Sequence, residues 1–243
     1  MLVFKTLSAK AAAALDAELM STGSFSIDQL MELAGLAVAK AVYKQYPPKR
    51  AAKPETVLVL VGPGNNGGDG LVCARHLKAW NYCEPVVFYP KRPQKDLYVR
   101  LTKQLEDMGV RSVNDVDLVK KLLEAGSTKV IIDALFGFSF RPPLRAPFDE
   151  LVGYLSANSA KLAPIVSVDI PSGWDVDEGP LDLDINAAML VSLTAPKPCA
   201  EKFQAADKAH YLGGRFINDA IAEKYGIADL LKMYHADDLV VKL

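Results

Sequence analysis

Net charge is almost absent from this chain: 28 Lys and Arg against 29 Asp and Glu leave −1 at pH 7 over 243 residues. Such a balance carries no global field toward nucleic acid or an anionic membrane, so neither partner is expected. Long apolar runs are missing too, none approaching the roughly 18 residues of a membrane span. The stretch Met1 to Lys10 has no apolar core before a small-residue cleavage site and is not arginine-rich, so no leader is expected. There are only three cysteines, Cys73, Cys83 and Cys199, spaced for neither a zinc site nor a CxxC pair. They are expected as free thiols in a reducing compartment, the cytoplasm first, with the mitochondrion left open. His76, His210 and His235 form no HExxH pair, and there is no GxSxG elbow and no GxxxxGK[ST] phosphate loop. No tyrosine is followed by a lysine four residues later, which removes the short-chain reductase dyad.

What is present is apolar and periodic. Half of the residues are hydrophobic, enough for one α/β domain over 1–243 with a substantial core. Val57 to Val61 is a wholly apolar run that leads into Gly62-Pro63-Gly64-Asn65-Asn66-Gly67-Gly68-Asp69-Gly70. A run of this kind, bounded by glycine, reads as a strand buried on both faces in a parallel sheet. The segment after it reads as a loop bringing bare N–H groups to an anion at the start of the helix Leu71–Leu77.

Before this strand, Ser8 is placed to cap a helix through Lys10–Met20, and Ser26 a helix from Ile27 to about Tyr46; the two helices, about 8–46, are expected to pack on the domain. Lys49 to Glu55 reads as a connector. Strands are then expected at Pro85–Tyr89, Val110–Val113, Lys129–Asp133, Pro164–Ile170 and Met189–Leu193, with Tyr211–Ile217 as an edge strand. Helices are expected at Leu97–Met108, Val116–Ala125, Phe148–Ala157 and, last, Asp219–Tyr225. Repeated βα units of this size imply a three-layer α/β/α sandwich with a mostly parallel central sheet.

Three strand ends carry short oxygen-bearing side chains: Asn65, Asn66 and Asp69 after the first strand, Asp133 ending another, and Asp169 ahead of Pro171-Ser172-Gly173. Ligands of open α/β sheets sit outside these carboxyl ends. A single strand-end aspartate serves as a helix or turn cap about as often, and it is the three together that favour a site. Gly62-x-Gly64-x-x-Gly67 matches the dinucleotide fingerprint, but that pattern alone is weak. The second strand ends Tyr89-Pro90-Lys91-Arg92, basic where a dehydrogenase places an acid for the ribose. Lys91, Arg92 and Lys95 read as a solvated rim. His76 reads as a packed helix residue and Cys73 as core.

Four segments taken together, 62–70, Asp133-Ala-Leu-Phe-Gly-Phe-Ser-Phe140, Ser167-Val-Asp-Ile-Pro-Ser-Gly173 and Leu193-Thr-Ala-Pro-Lys-Pro198, resemble the NAD(P)H-hydrate epimerase family, also called apolipoprotein A-I-binding protein. The resemblance runs from about Ser8 to Ile217 and is nearest to the stand-alone eukaryotic form. It implies a Rossmann-like sandwich, usually a homodimer, that interconverts the R and S forms of hydrated NADH and NADPH. A separate dehydratase specific for the S form then restores the cofactor. It also implies one potassium ion per subunit, held at the positions of Asn66, Asp133 and Ser172. Substrate contacts fall on Asn65, Asn66, Gly67, Gly68, Asp69, Gly137, Phe138, Ser139, Phe140, Arg141, Pro142, Pro143 and Asp169. Amide, carboxylate and hydroxyl oxygens suit a hard cation.

The reacting atom, C6 of the hydrated ring, must open its C–O or ring C–N bond and re-form it on the other face. Asp169 is the expected acid–base group, with Lys197 orienting it or stabilising developing charge. A solvent-facing turn lysine is the plainer reading of Lys197. Two rival functions stand beside this one. A non-catalytic dimerising or RNA-binding scaffold of the same fold would be expected to lack the polar set. An NADP-dependent oxidoreductase would change net redox state, which an epimerase does not.

Overall fold

The structure, a computed structural model, describes residues 4–48 and 55–243. Most of the connector expected at Lys49–Glu55 lies outside the described residues.

Ser8 accepts from the Ala11 N–H and starts helix α1, Ala9–Met20. Ser26 and Gln29 close a reciprocal capping box at the start of α2, Ile27–Gln45. The βα alternation follows as β1 Thr56–Val61, α3 Asn65–Ala79, β2 Glu84–Phe88, α4 Asp96–Asp107, β3 Arg111–Val113, α5 Val116–Glu124 and β4 Thr128–Ala134. After α6, Phe148–Asn158, come β5 Ile165–Val168 and a small hairpin, β6 Trp174–Asp175 with β7 Gly179–Pro180. The chain closes with β8 Met189–Leu193, β9 Ala209–Gly213, α7 Asp219–Lys224, α8 Ala228–Leu231 and β10 Val240–Lys242.

The main sheet has the order β10-β9-β8-β5-β4-β1-β2-β3, and every pairing in it is parallel except β9 with β10. Strand alternation divides the core between two layers. Val57, Val59 and Val61 of β1 face a cluster built from α2, α3 and α4, whereas Leu58 and Leu60 face one built from α5 and α6. A third cluster joins Leu15 and Leu19 of α1 to Leu212, Ile221, Ile227 and Leu230 at the carboxyl-terminal end of the chain.

Three expectations need correction. Asn65 to Gly70 is the first part of α3 and not a loop: the helix starts six residues earlier than its apolar pattern, because glycines here are chosen for close packing rather than for turning. Tyr211–Ile217 is not an edge strand. The strand there is β9, paired with β8 on one side and covered by β10 on the other. Nor is Asp219–Tyr225 the last helix, since α8 follows it. The terminal run Val240–Lys242 is too short to announce itself, and only its partner Tyr211–Gly213 makes it a strand.

Candidate functional site

The chain lays down β1, β2 and β3 in one direction, then crosses back to place β4 on the other side of β1. The reversal leaves a crevice at the carboxyl ends of β1 and β4, where ligands of this architecture bind. A cavity of about 640 Å³ lies there, between the sheet edge and a wall from α1 and α2. That volume lies in the range of small-molecule and cofactor sites.

At the floor, β5 stops at Val168 because Asp169 takes a left-handed backbone conformation, φ +67°, and donates its N–H to Val191 O at 2.8 Å. This turn aims the carboxylate into the cavity. Its Oδ2 accepts from the Phe138 N–H at 3.0 Å, and its Oδ1 pairs with the Lys197 ammonium. Lys197 also donates to Leu193 O at 2.9 Å, and its Nζ sits 5.4 Å from the centre of the Phe138 ring. The two side chains are only 4% and 6% exposed, so this is a buried ion pair and not a surface turn lysine. Asp169 and Thr194, at φ +68°, are both non-glycine residues at positive φ, and such strain gathers at functional sites.

The first turn of α3 forms the neighbouring wall. Among the described residues no side chain caps it at Gly64, and Gly64, Asn65 and Asn66 line the cavity at the positive end of the helix dipole. Gly67 makes this possible: a Cβ there would lie 1.9 Å from Gly62 O. Asn65 Oδ1 accepts from the Tyr98 hydroxyl at 2.7 Å. Asn66 is buried with its Nδ2 unpartnered. Gly137 lets the β4–α6 loop close over both sides, since its absent Cβ would be 3.0 Å from Asp169 Oδ2 and 3.2 Å from Asn66 Oδ1.

Electrostatically the cavity holds three carboxyls, Asp16, Asp69 and Asp169, and the Lys197 ammonium, with Lys95 also lining it. Burial pushes the Asp69 carboxyl well above the ordinary range, helped by the neighbouring Asp169 and Asp16. Burial also lifts Asp16, to about 6; Lys197 opposes the shift and Asp169 adds to it.

Of the residues expected from sequence, Asn65, Asn66, Asp69, Gly137, Phe138, Ser139, Phe140, Asp169 and Lys197 line this one cavity. Gly67 and Gly68 do not; they are buried packing positions, the second facing Met31. Arg141, Pro142 and Pro143 are exposed and stand away from the lining. Asp133 and Ser172 do not line this cavity; both are buried and joined to one another. Asp133 Oδ1 accepts from the Ser172 hydroxyl at 2.6 Å and the Leu135 N–H at 3.4 Å, and Oδ2 from the Ser172 N–H and the Ser167 hydroxyl, each at 2.9 Å. Burial raises the Asp133 carboxyl while these donors work against the rise.

Sequence reasoning missed Asp16, Tyr98 and most of the α1–α2 wall. Asp16 left one signal, a charge on the margin of the buried stripe Ala12–Leu15–Leu19, where an acid is out of place without a purpose. Nothing in the sequence around Tyr98 marks it out.

A strand-end crevice, an uncapped helix N-terminus and a buried carboxylate–ammonium pair define an α/β enzyme that handles a nucleotide-like ligand. Residues 27–199 match the family model described as YjeF-related protein N-terminus. The chain is 62% identical over 253 aligned residues to an NAD(P)H-hydrate epimerase of Candida albicans, covering 99% of this chain and 98% of that one. It is 46% identical to the NAD(P)H-hydrate epimerase of Saccharomyces cerevisiae, over the full length of both. The crystal structure of yeast YNL200c superposes with a TM-score of 0.93 at 46% identity, covering 99% of this chain and all of the other. This chain belongs to the NAD(P)H-hydrate epimerase family.

Proposed function

We propose that the chain is an isomerase that epimerises hydrated NADH and NADPH at C6 of the nicotinamide ring, a repair reaction feeding a separate S-specific dehydratase. What carries the reading is the buried Asp169–Lys197 pair on the switch-point cavity of a chain 62% identical over its length to a curated epimerase. The cavity has room for the hydrated ring, and the α3 N-terminus favours the phosphates that follow it. Asp169 acts as the acid–base group and Lys197 holds its carboxylate in place. Asn65, Asn66, Asp69 and the loop 137–140 form the rest of the binding surface. The exposed Arg141, Pro142 and Pro143 would reach only the outer part of a long ligand.

A potassium ion, one per subunit, is assigned to the oxygen-bearing side chains at or just after the carboxyl ends of β1, β4 and β5. Asn66 would hold it with Asp133 and Ser172. Among the described residues its amide makes no hydrogen bond, so turning its oxygen inward costs none, and the Ser172 hydroxyl, which donates to Asp133, can rotate to present its oxygen. Bound there, the ion would supply positive charge to a pocket rich in carboxylates and help hold the substrate's phosphates. We further propose a homodimer working in the cytoplasm and the mitochondrion.

The test is to incubate the protein with purified R hydrate and follow the S hydrate by chromatography, in potassium and in a large organic cation. Appearance of S hydrate without a change in nicotinamide redox state supports the epimerase, and a redox change overturns it. Equal rates in both salts would remove the potassium assignment alone.

A further inference from the structure

We propose that Asp16 is a second acid–base residue of the epimerisation, acting from the α1 wall of the cavity while Asp169 acts from the sheet edge. The inference rests on the epimerase reading.

Four observations carry it. Asp16 lines the same cavity as Asp169 and Lys197, on a helix whose other lining residues, Ala12, Ala13, Leu15, Ala17 and Met20, are all apolar. Among the described residues no hydrogen bond engages its carboxyl; burial and the charges of Lys197 and Asp169 are what act on it. The ordinary structural use of a half-buried carboxylate, as a cap or ion-pair partner, is therefore missing. On the same cavity Asn66 is buried with an amide nitrogen that has no partner among the described residues, a second polar group left unsatisfied. Finally, α1 is fixed against the catalytic segment. The Leu7 N–H donates to Pro196 O at 2.8 Å, one residue before Lys197, and Glu18 accepts from Lys224 at 2.6 Å and Tyr225 at 2.9 Å.

Inversion by the C–O route needs one group to give a proton and another to take one. Asp16 gives its carboxyl proton to the C6 hydroxyl, the C6–O bond breaks and water departs. The N1 lone pair meanwhile closes a cationic C6=N1 double bond. Water then adds to the other face of C6, that electron pair returns to N1, and the surplus proton passes to the Asp169 carboxylate. Exchange with solvent returns the proton to Asp16. The groups facing Asp16 are Asp69 from α3, Asp169 after β5 and Lys197 after β8, with Lys95 at the start of α4 on the same cavity. A carboxyl held near 6 is suited to this exchange, because it can be found in either state close to neutral pH.

The experiment compares wild type, Asp16→Asn and Asp16→Glu in conversion of R to S hydrate between pH 5 and 9. Asp16→Asn is expected to lower kcat by about 100-fold or more, with KM within about threefold and a thermal midpoint no lower than wild type. The pH limb near 6 should vanish in Asp16→Asn and return, displaced, in Asp16→Glu. If Asp16→Asn does not fold, Asp16→Ser carries the same expectation. Wild-type kcat and an unchanged limb in the variant would overturn the inference and leave the epimerase intact. An inactive wild type would overturn the epimerase reading and this inference with it.

Discussion

Asp133 is the residue whose removal the structure lets us weigh most fully. It accepts from two hydroxyls and two backbone N–H groups at 2.6, 2.9, 2.9 and 3.4 Å, with none of its surface in contact with solvent. Alanine would leave the Ser172 N–H with no acceptor and set two buried hydroxyls searching for new ones. At about 1–3 kcal/mol for each unsatisfied group, with the hydroxyls able to turn, we expect a loss of about 3–6 kcal/mol. Asparagine keeps the shape. Its oxygen can stand at the Oδ2 position and keep Ser167 and the Ser172 N–H, while its NH2 meets the Ser172 hydroxyl, which can rotate to accept. Only the long Leu135 bond becomes donor against donor, and a desolvated charge is removed, so the expected cost is about 0–2 kcal/mol.

In a chain of this size each kcal/mol moves the melting temperature by about 2–4 °C, which puts Asp133→Ala about 6–24 °C below wild type. Thermal and urea unfolding read both variants. The folded carboxyl is raised, so its stabilising contribution is fully present below the ordinary aspartate value and fades as pH rises through the folded one. Any advantage of wild type over Asp133→Asn should therefore be greatest in acid and shrink toward neutrality. An Asp133→Ala protein within about 1 kcal/mol of wild type would refute the claim that this network ties the ends of β4 and β5 together.

Other perturbations test the site from different sides. Gly67→Ala should cost at least about 3 kcal/mol or prevent folding, since its Cβ would stand 1.9 Å from the Gly62 carbonyl oxygen and only backbone could yield; a protein as stable as wild type would show that α3 does not start at Asn65. Lys197→Met strands a buried carboxylate and should destabilise by about 3–5 kcal/mol in urea unfolding; a variant as stable as wild type would show that the pair does not hold the site together. Asp16→Asn should be more stable than wild type above pH 6 by up to about 3 kcal/mol, because the folded carboxyl, raised to about 6, contributes stability below the ordinary value that is lost as pH climbs through 6. Equal melting curves at pH 8 would contradict that shift. Replacement of Asp169 by Asn should depress epimerisation by about 100-fold or more with the fold retained, and near-normal turnover would remove its role.

Much of this molecule was settled by order along the chain. The wholly apolar β1, the two serine caps and the βα alternation follow from local chemistry: β-branched residues suit a pleat, and a serine oxygen satisfies an orphan N–H. The strand-end motifs also placed Asp169, Asn65, Asn66 and Asp69 around one cavity, since a parallel sheet delivers all its carboxyl ends to one side.

What local chemistry could not settle is who meets whom across long distances. Glycine has the same letter in a turn and in a helix pressed against its neighbour, so only the closeness of Gly62 O shows that Gly67 serves the second purpose. Lys197 looked like a turn residue until Asp169 and Leu193 O enclosed it, and β10 is a strand only because β9 lies beside it. Asp16 belongs to the site because α7 and α8, two hundred residues away in sequence, hold α1 over the strand ends. Pairings of that kind depend on which surfaces are left to bury once the sheet has formed, and that information exists only in the folded chain.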